Sequence, residues 1–503
     1  MPTVLDLVKI PYPEKFQGRK VERMRGKSPT HQRNGEFLKK LGYIKINGGW
    51  IDQYCCHRKQ EYLQLTEWEL KNLHLPPVTT ITLYEGSAPV ENLRSRLTTM
   101  LEKNPWLTSR IVKKDTADGI VAMAYSKTFD AKSLLDQHFS VYDPGDVGFS
   151  LSMPYEELVH CLLPVQCERS KQAIDSDVPL FKVAVVPIEA EEIADDQIKP
   201  LQQVITLPGF ALVVSMNHTL GDGHTYYKLY GMLSTDTDVE ALEPVRVADF
   251  EKAKTEVIGK NENAMFTSAG IGLGIMRTYM GAKVTRRKPQ NVCIHSVDPA
   301  WAAHEKANAK QAGQVPFVST NDALTSWFFR EMKSDLNIMV ANYRSRKPSI
   351  LGLKERHVGN YEANVPYFPG DVETPTLIRQ SISGADGGFR THRAGSPPTE
   401  IPKFLTLIRN KCSLITNWAT FYRDVVLQDN APGNETRLYN PKLHLPIMAS
   451  DGIITSVWNN CIIFRPRAGE LGILMITRRF DSDMLMQLKA QDSLKIPTGV
   501  RIV

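Results

Sequence analysis

Runs of β-branched and apolar residues alternate along this chain with segments whose apolar positions return every three or four residues, the mark of strands interleaved with helices. Pro77 to Tyr84 carries the stretch VTTITLY and reads as a strand, because branched side chains fit a pleated surface. Val90 to Lys103 follows with apolar residues at Val90, Leu93, Leu97, Met100 and Leu101, one face of a helix. Asn104-Pro105 ends it, since proline has no N–H to give a helix interior, and Leu107 to Val112 is expected to begin the next strand. Leu180 to Val186 (LFKVAVV) and Phe210 to Met216 (FALVVSM) are short valine-rich runs that suit buried strands. The acidic Glu189 to Asp196 (EAEEIADD) between them reads as an exposed loop, which lets the two strands be hydrogen-bonded neighbours. No fixed-period repeat is present, so solenoids and propellers are set aside.

One apolar segment stands apart. Ala264 to Ala282 (AMFTSAGIGLGIMRTYMGA) is interrupted by Arg277 and followed by Lys283, Arg286, Arg287 and Lys288. Its uninterrupted part is shorter than the roughly 20 residues of a spanning helix, so a buried or surface-lying helix is expected and peripheral membrane contact stays open. Gly270, Gly272 and Gly274 imitate a phosphate-binding turn, but no βαβ frame surrounds them.

A chain of 503 residues exceeds one compact core and points to two domains sharing a cleft. With 42% hydrophobic and 23% charged residues it is neither disordered nor fibrous. The net charge of +6 is too mild to imply a nucleic-acid partner unless the basic residues gather on one face. They gather only between Lys15 and Lys45, where Arg19, Lys20, Arg23, Arg25, Lys27, Arg33, Lys39 and Lys40 face Glu22 and Glu36, and a solvated arm is the simpler reading. Cys55, Cys56, Cys161, Cys167, Cys293, Cys412 and Cys461 are odd in number and lack the paired spacings of a zinc site or a disulfide framework, so reduced thiols and no metal are expected. Asp6, Glu14 and Glu22 interrupt the first thirty residues, no targeting peptide is indicated, and a cytoplasmic location is the expectation.

The richest stretch is Asn217-His218-Thr219-Leu220-Gly221-Asp222-Gly223, directly after the Phe210 to Met216 strand. Gly221 and Gly223 tolerate positive φ and close backbone approach, which allows a tight turn that projects His218 into a cleft and Asp222 elsewhere. A histidine's ordinary pKa of about 6.5 suits proton transfer near neutral pH, although a histidine at a strand end is also a common structural residue.

His-x-x-x-Asp-Gly after an apolar strand resembles the active-site motif of the superfamily that holds the BAHD acyltransferases, the fungal trichothecene acetyltransferases, chloramphenicol acetyltransferase and the condensation domains of peptide synthetases. Further landmarks of the BAHD-like branch follow in order. Asn104 to Val112 (NPWLTSRIV) resembles its P-x-L-A-G-R segment, with Thr108-Ser109 in place of Ala-Gly. Asp177 to Val183 (DVPLFKV) is similar to the strand before the histidine strand, and Ser319 to Arg330 (STNDALTSWFFR) to the helix after the crossover between domains. Asn342-Tyr343-Arg344-Ser345-Arg346 with Gly359-Asn360 matches the N-x-R-x-R and G-N run, and Thr416-Asn417-Trp418 is similar to T-S-W. The likeness covers about four-fifths of the chain. It departs near the C-terminus, where D-F-G-W-G is absent and only Ser450-Asp451-Gly452 stands in its neighbourhood.

The resemblance implies an α/β fold of two chloramphenicol acetyltransferase-like domains, each a mixed sheet flanked by helices, with an active-site channel between them. The division expected along the chain is an N-terminal domain over 1–240, a crossover over 241–300 and a C-terminal domain over 301–503. His218 is then the general base of a direct transfer from acyl-coenzyme A, a co-substrate, to the hydroxyl or amine of a small molecule in specialised metabolism. Thr416 and Trp418 are candidate donors to the tetrahedral oxyanion, Trp418 being equally readable as a core ring. Asp222, with Gly223, has a structural role in the family, turned from the cleft to pair with Arg344. Ser319, Thr320, Arg286, Arg287 and Lys288 are candidate donor contacts by the family's placement, the basic three being equally a solvated surface. A monomer is expected. Two further readings stay open: a condensation enzyme fed by a carrier protein, against which Asn217 stands where those domains carry a second histidine, and a non-catalytic binding protein of the same fold.

Overall fold

The computed structural model describes residues 60–113, 120–188, 208–258, 290–344, 352–382, 412–429, 436–448 and 457–502, apart from 144, 152 and 313, together with a hairpin at 43–46 and 49–52 and helical residues 272–274, 276, 277, 279 and 280. The arm before Lys40, Cys55, Cys56, the acidic run from Glu189, Ser450-Asp451-Gly452 and most of 264–282 lie outside the described residues.

The protein has the α/β architecture expected, with two mixed sheets flanked by helices. The first sheet orders its strands Leu443–Pro446, Val78–Glu85, Gly209–Met216, Phe181–Ile188 and Phe139–Val141. Gly209–Met216 is buried along its whole length, because it pairs antiparallel with Val78–Glu85 on one edge and with Phe181–Ile188 on the other. The valine-rich run therefore reads without alternation, as a strand covered on both faces must. The second sheet orders Glu362–Tyr367, Leu336–Asn342, Cys412–Asn417, Asn459–Phe464, Gly472–Thr477, Asn291–Val297 and Thr498–Arg501. Its parallel pairs are Leu336–Asn342 with Cys412–Asn417 and Cys412–Asn417 with Asn459–Phe464.

Two strands fall across the division expected along the chain. Asn291–Val297, in the crossover segment, pairs with Gly472–Thr477 in the second sheet. Leu443–Pro446, late in the chain, returns to the first sheet beside Val78–Glu85. Leu107 also differs from expectation: Pro105 opens a 3-10 turn over Pro105–Thr108 and the strand begins at Arg110. Proline's fixed φ suits the start of a helical turn, and Thr108 Oγ1 donates to the Pro105 carbonyl at 2.8 Å.

Three clusters hold these layers together. Val90–Lys103 buries Leu93, Leu97, Met100 and Leu101 against one face of the first sheet. The helix Thr320–Met332 buries Trp327, Phe328 and Phe329 against the second. Between the sheets, Ile81, Val186 and Val213 from the first pack with Ile294, Ile462, Phe464 and Leu474 from the second. Each such side chain contributes about 1.5–3 kcal/mol through burial, so the sheets are joined by a continuous apolar contact, and loops leaving both can be held in one place.

Candidate active site

The segment 216–223 turns sharply because Asn217 closes it from inside. Its N–H donates to the Leu180 carbonyl at 2.7 Å, its Nδ2 donates to the Glu168 carbonyl at 2.7 Å, and its Oδ1 accepts from Ser170 Oγ at 2.6 Å and from the Thr219 N–H at 2.9 Å. Asn217 is fully buried, and with every polar group matched it holds the end of the strand as a clip. Gly221 and Gly223 do not adopt positive φ. Gly221 is needed for close approach, since a side-chain carbon there would lie 2.5 Å from Thr225 Oγ1.

Asp222 caps the helix Gly223–Gly231, its Oδ1 accepting from the Thr225 N–H at 3.0 Å. Its Oδ2 accepts from Arg344 Nη1 at 2.8 Å and from the Tyr361 N–H at 3.0 Å. Arg344 sends its remaining donors to the carbonyls of His357 (2.7 Å) and Gly359 (2.8 Å) and to Asn342 Oδ1 (3.0 Å). Burial opposes ionisation of Asp222, but the Arg344 guanidinium and the backbone donors outweigh it and hold the carboxyl below its ordinary value. The half-buried Glu362, one residue beyond Tyr361, goes the other way: burial and the nearby Asp222 charge push its carboxyl up to about 8, against Arg344 and Lys254.

His218 is half-buried, with Nδ1 enclosed. Burial lowers its pKa from the ordinary histidine value, while its own main-chain carbonyl, Asp222, Asn360 and Glu69 oppose the shift. The Trp68 ring lies 6.0 Å away between centroids. Its neighbour Glu69 is buried, pairs with Arg246 at 2.9 Å, and accepts from Asn360 Nδ2 at 2.9 Å. The Asn360 Nδ2 also donates to the His218 carbonyl at 3.0 Å, and Arg246 Nη2 donates to the Thr219 carbonyl at 2.7 Å. A second buried ion pair thus grips the His218 turn. Trp68, Glu69 and Arg246 were not singled out by sequence; Thr66-x-x-Glu69 is a capping box, present here, and that was the signal available for the short helix Glu67–Lys71.

From the second sheet, Trp418 follows the strand Cys412–Asn417 and donates its backbone N–H to the Ile463 carbonyl at 2.8 Å. A side-chain carbon on Gly223 would lie 3.4 Å from Trp418 Nε1, so the indole stands at the start of the helix that follows the His218 turn. It also packs, partly buried, against both neighbouring core clusters, as the core reading of this ring expects. Thr416 is half-buried on the same strand, opposite Ile462. Ser319 caps Thr320–Met332, its hydroxyl donating to Asp322 Oδ2 at 2.8 Å and accepting the Asp322 N–H at 3.2 Å. Thr320 opens that helix, and its neighbour Asn321 accepts from Asn417 Nδ2 at 2.9 Å, tying the helix start to the Thr416–Trp418 segment. Arg286, Arg287 and Lys288 lie outside the described residues. Among the described residues no group of three His, Cys, Asp or Glu is placed to hold a metal ion, and no helix is long and apolar enough to cross a membrane.

No protein-family model and no curated protein matches the chain. Among solved structures it is similar to F. sporotrichioides TRI101 complexed with coenzyme A and T-2, at 13% identity over 86% of this chain and 98% of that one, with a TM-score of 0.49. It is similar to F. graminearum TRI101 complexed with ethyl coenzyme A at 11% identity, over 87% and 98% of the two chains, with a TM-score of 0.49. The first condensation domain of the calcium-dependent antibiotic synthetase, in complex with a substrate analogue, is similar at 12% identity over 88% and 98%, with a TM-score of 0.44.

Proposed function

We propose that this chain is an acyltransferase that moves an acyl group from acyl-coenzyme A to a hydroxyl or amine of a small-molecule acceptor, with His218 as general base. The observation that carries the reading is the placement of His218: at the end of a buried strand, with Nδ1 enclosed, in a turn bonded to both the Asp222–Arg344 and the Glu69–Arg246 pairs, where burial lowers its pKa. A base in its neutral form is ready to accept a proton without prior deprotonation.

In this reading Nε2 takes the proton from the acceptor as its oxygen or nitrogen attacks the thioester carbonyl. The carbonyl electrons move to oxygen, and the Trp418 indole N–H and the Thr416 hydroxyl are the candidate donors to that oxyanion, each typically worth about 3 kcal/mol. Collapse restores the carbonyl and expels the thiolate, which takes the proton back from the imidazolium, so no acyl-enzyme forms. For the donor, Ser319 is already engaged in its cap, which leaves Thr320 and the basic Arg286, Arg287 and Lys288 as the candidate contacts to phosphate. Specialised metabolism belongs to the same reading through the motif resemblance; a cytoplasmic monomer is proposed with it, the location from the scattered cysteines.

Free-thiol release from acetyl-, malonyl- and long-chain acyl-coenzyme A with a broad acceptor mixture tests it. His218→Ala is expected to fall about 10²- to 10⁴-fold, the size of a lost general base, while remaining folded. Because burial lowers the pKa of His218, the acid limb of kcat/KM is expected below 6.5; a limb above that value contradicts the site described.

A further inference from the structure

Among the buried polar atoms without hydrogen-bond partners are Nδ1 of His218 and Oδ1 of Asn360. Their residues are already joined, Asn360 Nδ2 donating to the His218 carbonyl at 3.0 Å, and the Asn360 side chain is among the groups that raise the imidazole's basicity. The orientation of the amide is fixed by its partners. Both of its N–H bonds point at acceptors, the Glu69 carboxylate at 2.9 Å and the His218 carbonyl, so the nitrogen and oxygen cannot be exchanged without facing two oxygens with a third. Glu69 is held in turn by Arg246, whose side chain is also buried and whose other donors reach the Thr219 and Val358 carbonyls. Asn360 follows Gly359, which accepts from Arg344, so one short segment touches both buried ion pairs.

We propose that Asn360, held by Glu69 and Arg246, is a positioning residue that fixes the His218 imidazole as its Nδ1–H tautomer and so leaves Nε2 as the base. The two orphan atoms are complementary in this tautomer, an N–H and an amide oxygen on residues already joined, and both the Asn360 side chain and the His218 carbonyl act on the imidazole. Glu69 reaches the imidazole through this amide and through its own charge. The proposal rests on the reading of His218 as the base, but the tautomer is read without turnover, so failure of one is distinguishable from failure of the other.

The test is the nitrogen-15 spectrum of histidine-labelled full-length protein, with the His218 signals assigned by their loss in His218→Gln, together with thiol release by Asn360→Ala and Asn360→Asp. The wild type is expected to show protonated Nδ1 and bare Nε2 at His218. Asn360→Ala is expected to show mixed tautomers and a fall in kcat on the order of 10- to 100-fold, the size known for the outer partners of ligating histidines, with KM for the donor little changed. Asn360→Asp keeps an oxygen beside the imidazole and shares one proton with Glu69 but loses the donor to the His218 carbonyl, so it is expected to keep the tautomer and recover only part of the rate. A wild-type His218 protonated on Nε2, or mixed, overturns the proposal whatever the variants do. So does an Asn360→Ala protein with the wild-type tautomer, or an Asn360→Asp protein no better than Asn360→Ala. A wild type that is inactive on every donor but carries the Nδ1–H tautomer overturns the acyltransferase reading and leaves the positioning role standing.

Discussion

Asp222 and Arg344 are enclosed by the fold, their side chains 3% and 0% exposed, and a buried pair in that state is as costly to break as it is to build. Asp222→Ala leaves the guanidinium of Arg344 without its counter-charge and is expected to lose roughly 3–5 kcal/mol of stability in denaturant titration at pH 7. If the variant keeps wild-type stability and loses only turnover, Asp222 is not the structural residue described here. Glu362 makes an opposite prediction. Its folded value of about 8 lies above its unfolded value of 4.5, so its contribution is fully present below 4.5 and is lost as pH rises through 8. Glu362→Gln should therefore gain on the wild type between pH 5 and pH 8.5 in thermal melts, and a gap that does not change with pH rules out a strained buried carboxyl. At this scale the Asp222–Arg344 pair was legible through the resemblance, Asp222 inside the His218-x-x-x-Asp-Gly run and Arg344 inside the N-x-R-x-R run. Glu69 and Arg246 were not, since they are 177 residues apart and a lone Glu or Arg in sequence gives no sign of its partner.

The element that makes the site is the turn between Gly209–Met216 and Gly223–Gly231. Its sequence predicts a tight turn, and the strand before it was readable from the valine-rich run alone. What could not be read is which property of glycine is used. Neither Gly221 nor Gly223 has positive φ; Gly221 is set against Thr225, whereas Gly223 has ordinary room beside Trp418. Gly221→Ala is accordingly expected to lose about 1–3 kcal/mol by overpacking, and Gly223→Ala to stay near wild-type stability; equal effects in chemical denaturation contradict the packing described. The misplaced start of the Arg110–Lys113 strand has a similar origin, because Leu107 is apolar enough for a strand while Pro105 favours a helical turn.

Over the whole molecule, the α/β class and the two-sheet plan follow from alternating strand and helix patterns, and these were visible without the structure. The path of the chain between the sheets was not. Leu443–Pro446 spans four residues, too few to carry a periodicity, and it pairs with a strand some 360 positions earlier. Non-local pairing of this kind is settled by the edge that the first sheet leaves open and by the apolar contact between the sheets, neither of which is a local property. Because the sheets meet there, His218 from one strand end and the Trp418 indole from the other stand at one helix start. The most direct test is free-thiol release from a series of acyl-coenzyme A donors by the wild type and His218→Ala. Release by the wild type with a loss of about 10²- to 10⁴-fold in the variant is the predicted result. Equal release by both proteins, or none by either, contradicts it.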